Sequence, residues 1–125
     1  MSAWVWIGVA LCSGIAAIGR FVLVALISSR VVTGFPGAFP LGTFAVNMTG
    51  ALLLGLLAGL AVEGDALVLL GTATLGSYTT FSTWMLETQR LAEDGQIAVA
   101  AINILLSLVV GLGAIALGRA VGMHL

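Results

Sequence analysis

Six positions in one short stretch, Gly76, Ser77, Thr79, Thr80, Ser82 and Thr83, crowd hydroxyls and a glycine into the middle of an apolar segment. Serine and threonine offer the backbone alternatives to helical hydrogen bonding, and glycine is a poor helix former, so this density predicts a helix break. In an apolar solvent a break releases carbonyl and N–H groups, each costly unless protein or a water-filled cavity satisfies it. The same groups bind ions: freed carbonyls face cations, whereas half-helix N-termini with hydroxyls favour anions. An isolated Ser or Thr would be ordinary glue between helices, but this spacing points to an ion site.

Other polar residues within apolar stretches fall into a pattern. Asn47 has Thr43 one turn before it, on the same helical face. Asn103, Ser107 and Gly111 recur every four residues as a polar and small stripe. Beside a broken helix, two such stripes could line a narrow aqueous track or simply pack helices, the role assigned to Gly55-x-x-x-Gly59. Arg20 is the ionisable residue well inside the first apolar segment, where it would attract anions or snorkel to the nearer surface. Glu87 precedes Arg90 by three residues, the spacing of a helix-end ion pair.

The elements that hold these residues follow from composition. The chain has 125 residues, 61% of them hydrophobic and 7% charged, and a mean hydropathy of +1.23. Such a chain is an integral membrane protein. Four segments, residues 3–29, 41–62, 66–92 and 96–121, each reach the roughly 20 residues that span a hydrocarbon core. They predict an all-α fold of four transmembrane helices in a single domain, with the third broken at mid-membrane. "SSRVVTGFPGAFP", "EGD" and "AEDG" separate them. The first segment lacks a basic n-region and is too long for a signal peptide, and the "NMT" sequon at Asn47 falls inside a span. Four arginines against five acidic residues, with no lysine, give no nucleic-acid-binding surface. Cys12 excludes an intramolecular disulfide, and no catalytic group can be assembled around the single histidine, His124.

Charge places Arg119 on the side of the termini and Arg30 and Arg90 opposite, with Arg20 nearer the second side. That bias is small for the positive-inside rule and is compatible with insertion both ways, giving an antiparallel dimer, or with one fixed topology. A broken helix also needs protein cover that four short helices scarcely supply, which favours a dimer whose breaks meet at its centre.

"GR" at Gly19 and Arg20, "FPLGTFAVNMTGALLLG" at 39–55 and "GTATLGSYTTFSTWMLETQRL" at 71–91 resemble the CrcB/Fluc family of fluoride channels, in the same order and over essentially the whole chain. The resemblance implies an antiparallel, dual-topology dimer, homomeric or formed with a second homologue, with two fluoride pores along its interface. It also implies a structural sodium ion at the dimer centre, held by the backbone carbonyls of Gly76 and Thr79 of each subunit. Phe81 matches one of two pore phenylalanines that offer ring edges to fluoride; Trp84 stands at the second, where its indole N–H could donate to the anion. Asn47 and Ser107 match pore residues, Thr80, Ser82 and Thr83 complete the hydroxyl lining, and Arg20 and Glu87 match vestibular positions. Asn103 and Gly111 stand where the family pattern has an aromatic and a hydroxyl.

The expected function is passive, selective export of fluoride across a bacterial plasma membrane, protecting the cell from fluoride, with membrane lipid and the fluoride ion as partners. A small drug/proton antiporter would need a carboxylate inside its first span, where this chain has Arg20. A non-transporting scaffold is the remaining alternative.

Overall fold

A computed structural model describes residues 1–30 and 39–125; residues 31–38 and the side chain of Arg30, counted above for orientation, lie outside the described residues. The described residues are helical. Helix α1 (Ala3–Arg30) and α2 (Leu41–Gly59) are followed by three joined pieces, α3 (Gly64–Leu67), a π-helical stretch (Val68–Leu75) and α4 (Gly76–Tyr78). After a break come α5 (Phe81–Glu93) and α6 (Ile97–Gly122). Among the described residues, three helices are long and apolar enough to cross a membrane: Ala3–Ser29, Leu41–Gly59 and Ile97–Gly122. The expected third span, 66–92, is divided among the shorter pieces on either side of Thr79 and Thr80.

Helix ends explain where the boundaries moved. The second span was expected to reach residue 62, but α2 stops at Gly59 because Ala61 turns left-handed at φ 51°. Ala61 N–H then donates to Ala58 C=O and Val62 N–H to Leu57 C=O, the paired bonds of a Schellman cap. The same cap closes α5 on Gly95, at φ 77°, through Gly95 N–H to Ala92 C=O and Gln96 N–H to Leu91 C=O.

Packing is inverted relative to a water-soluble protein. Residues buried among the helices are mostly small or polar, including Ala16, Val46, Ala73, Thr43, Asn103 and Ser107, while Trp4, Phe21, Leu105 and many other large apolar side chains face outward. That is the distribution expected when the solvent is lipid and helices associate by close approach. Helices α2 and α6 make the tightest seam. A Cβ at Gly55 would overlap the Ile115 carbonyl, and one at Gly118 would overlap the Leu52 carbonyl. Gly59 likewise faces Gly122 backbone. Gly55-x-x-x-Gly59 thus meets a second pair at the same spacing, Gly118 and Gly122, which the sequence reading had not singled out. On the other side of α2, α1 packs along the π-helical stretch, with the Ser13 hydroxyl donating to Ala73 C=O at 3.2 Å.

Candidate ion site at the helix break

Thr79 and Thr80 leave the helix with extended backbone, ψ 161° and 123°. The last bonds before the break come from Thr79, whose N–H and hydroxyl both reach Leu75 C=O at 2.9 Å. Beyond it the Asn47 side chain takes over. Its Oδ1 accepts from Thr80 N–H at 2.8 Å and its Nδ2 donates to Thr80 C=O at 2.9 Å, so one amide satisfies both backbone groups of one residue. Arg20, on α1, donates from Nη1 to Thr79 C=O at 3.2 Å. The Thr80 hydroxyl caps α5 by accepting from Thr83 N–H at 3.2 Å and donates to Thr83 Oγ1 at 3.0 Å. Gly50 lets α2 lie against this backbone, since a Cβ there would overlap the Thr79 methyl.

These bonds account for two carbonyls. In a continuous helix, Gly76 C=O would accept from Thr80 N–H and Thr79 C=O from Thr83 N–H. Asn47 takes the first donor and the Thr80 hydroxyl takes the second. Both oxygens named for sodium therefore lose their helical donors, and Arg20 is the side chain that meets one of them.

A cleft of about 490 Å³ opens beside the break, lined by Asn47, Gly76, Thr79, Thr80, Phe81 and Trp84 among others. Phe81 stands at the start of α5 with 70% of its surface exposed, and its ring meets Trp84 edge-on, centroids 5.7 Å apart at 77°. Ser82 and Thr83 do not line the cleft but join the Thr80 hydroxyl cluster, Ser82 at 3.4 Å. Ser107 is buried on α6, away from the cleft.

Trp84, Asn103, Thr88 and Glu87 have partners that the sequence did not disclose. The Trp84 indole N–H, expected to be free for an anion, donates to Asn103 C=O at 3.3 Å. Asn103, wholly buried, donates from Nδ2 to Thr88 Oγ1 at 2.9 Å, and the Thr88 hydroxyl returns to Trp84 C=O at 2.8 Å. The three residues close a ring that ties α5 to α6. Among the described residues Asn103 Oδ1 is left without a hydrogen-bond partner. Glu87, at the spacing of an ion pair with Arg90, accepts at Oε1 from the Thr43 hydroxyl at 3.0 Å, and its Oε2 is buried with no hydrogen-bond partner among the described residues. Arg20 reaches the break itself, through Thr79 C=O. Thr88 was missed altogether; its only signal was a hydroxyl one turn after Trp84.

Residues 7–119 match a family model described as CrcB-like protein, Camphor Resistance (CrcB). A Mycobacterium tuberculosis protein named fluoride-specific ion channel FluC 2 is 53% identical over 115 residues, covering 92% of this chain and 88% of the relative. A protein of Symbiobacterium thermophilum named fluoride-specific ion channel FluC 1 is 45% identical over 127 residues, covering 96% and 97%. One of the same name from Leifsonia xyli subsp. xyli is 39% identical over 127 residues, covering 98% and 89%.

Proposed function

The chain belongs to the CrcB-like family, and we propose that it is a fluoride-selective channel of the bacterial cell membrane that lets the anion leave the cell passively. The observation behind this reading is the break at Thr79 and Thr80, where backbone polarity is opened inside an apolar fold and held by Arg20 and Asn47.

Fluoride is small and strongly hydrated, so a selective path must replace its water with closely placed donors, and a larger halide fits the same path worse. Here the first turn of α5 begins beside the cleft, which Thr80 and Phe81 line, and a helix N-terminus carries N–H groups and partial positive charge. Phe81 stands on that turn and can offer ring edges, the positive part of its quadrupole. Arg20 adds full positive charge beside the break, raising the local anion concentration. Hydroxyls of Thr80, Ser82 and Thr83 form a cluster that can reorient donors. Asn47 holds Thr80 in place with both ends of its amide, and the second N–H of its Nδ2 can still meet the ion in the cleft it lines. A membrane potential, worth about 2.3 kcal/mol per charge per 100 mV, is enough to drive the anion outward without coupling to another substrate.

The functional unit in this reading is an antiparallel, dual-topology dimer, with itself or with a second homologue, in which the 66–92 region completes a fourth crossing. Its breaks meet at the centre and cover one another from lipid. The donor chemistry fits a structural sodium ion: Gly76 and Thr79 present neutral carbonyl oxygens stripped of their helical donors. Two such oxygens from each of two subunits suit a hard cation, which would neutralise backbone dipoles and join the subunits.

The test is flux from liposomes loaded with fluoride or chloride and reconstituted with the purified chain. Fluoride efflux with essentially no chloride efflux is expected; equal rates for the two halides would sink the reading.

A further inference from the structure

Arg20 and Thr79 lie 59 residues apart, yet the guanidinium of one reaches the carbonyl of the other at 3.2 Å. That oxygen has lost its helical donor to the Thr80 cap, and it is one of the two proposed to hold a cation. We infer that Arg20 is a positioning residue that competes with the metal: its guanidinium is a built-in cation on Thr79 C=O, setting how tightly the break holds sodium. The inference rests on the sodium reading above.

A carbonyl oxygen has two lone pairs, so geometry alone does not forbid a guanidinium and a metal ion on the same atom. Their charges do oppose each other. Two unit positive charges a few ångströms apart repel appreciably even at an effective dielectric of about 20, and the apolar surroundings of α1 offer little further screening. Sodium must therefore displace the guanidinium or bind against it, and in either case a charged residue 20 lowers its affinity. The arrangement keeps Thr79 C=O satisfied before any metal is present, which matters because an unpaired carbonyl at this depth is costly. Asn47 does the same for Thr80 but carries no charge, so it leaves Gly76 C=O open without repelling a cation. The two supports thus differ in kind: one is neutral, the other is a charge that a metal has to overcome.

The experiment follows thermal unfolding of the purified full chain against sodium concentration, with N-methyl-D-glucamine chloride holding ionic strength constant. A ligand that binds the folded state raises the melting temperature by mass action, so the sodium midpoint reports affinity. Wild type, Arg20→Lys, Arg20→Gln and Arg20→Met are compared. Arg20→Gln keeps an N–H for Thr79 C=O without charge, and Arg20→Met removes both. The midpoint is expected to fall at least about tenfold in the two neutral variants and to stay near wild type in Arg20→Lys. A uniform drop in melting temperature with an unchanged midpoint would show Arg20 to be a structural brace only and would overturn the inference. Failure of both neutral variants to assemble at any sodium concentration would also overturn it, because the released carbonyl should bind sodium more tightly. Absence of sodium dependence in wild type and every variant would overturn the sodium reading itself, an outcome distinct from an unchanged midpoint.

Discussion

Replacing Asn47 by leucine keeps the size of the side chain and removes its amide, so it tests whether Thr80 is held as described. The wild-type amide makes two bonds, of 2.8 and 2.9 Å, to the N–H and C=O of a residue that is itself buried. The Thr80 N–H has no helical partner to return to while Thr79 and Thr80 stay extended, whereas its C=O, at the N-cap of α5, keeps the first helical donor, Trp84 N–H. An unsatisfied buried N–H costs about 1–3 kcal/mol and the lost second bond about 0.5–1.5 kcal/mol, so Asn47→Leu is expected to destabilise the fold by about 2–4 kcal/mol. Against a total stability of about 5–15 kcal/mol this is a large fraction. Asn47→Asp retains the acceptor for Thr80 N–H and loses the donor to Thr80 C=O, so one of the two bonds survives. Denaturant titration in detergent, followed by tryptophan emission, gives the stability difference, and liposome efflux gives the transport. Fluoride efflux should fall along with stability in Asn47→Leu, because Phe81 and the first turn of α5 depend on where Thr80 is placed. A leucine variant within about 1 kcal/mol of wild type and with normal efflux would refute the argument that the amide splints the break.

Three further substitutions probe the surrounding structure. Phe81→Ile, at an exposed position, should cut fluoride efflux while the assembled protein elutes unchanged on size exclusion; unimpaired efflux would remove the ring from the pathway. Trp84→Phe loses the bond to Asn103 C=O and should cost about 0.5–1.5 kcal/mol in denaturant titration, with fluoride efflux retained. A loss of efflux at unchanged stability would assign the indole N–H to the ion instead. Gly118→Ala drives a Cβ into the Leu52 carbonyl and should lower stability by about 1–3 kcal/mol as α2 and α6 separate; a neutral result would mean the seam is looser than described.

The sequence made three of the expected spans and the break legible for a simple reason: long apolar runs and a dense group of hydroxyls are local signals that need no partner to be read. Partners are not local. Asn47 could be placed on a face with Thr43, yet nothing in its neighbourhood says that its amide reaches Thr80, 33 residues on. Glu87 illustrates the same limit, since Arg90 at helical spacing was the visible partner and Thr43, across the bundle, is the one that bonds. Trp84 looked like a free donor because the carbonyl it meets belongs to α6. The end of α2 was misjudged because a left-handed alanine does the work usually done by glycine, whereas Gly95 at the end of α5 followed the common pattern. The π-helical stretch had no sequence signature, since its composition reads as ordinary helix.

Arg20 and Asn47 both precede the break in the chain, by 59 and 33 residues from the groups they meet. During synthesis, then, α1 and α2 emerge before Thr79 and Thr80 do. The segment with exposed backbone enters a membrane in which its two supports have already been made, so its polar groups can be matched on arrival instead of waiting for later chain. Moving either support to α6 would leave the same final contacts but reverse that order, and the bare break would then have to wait in lipid for the last helix.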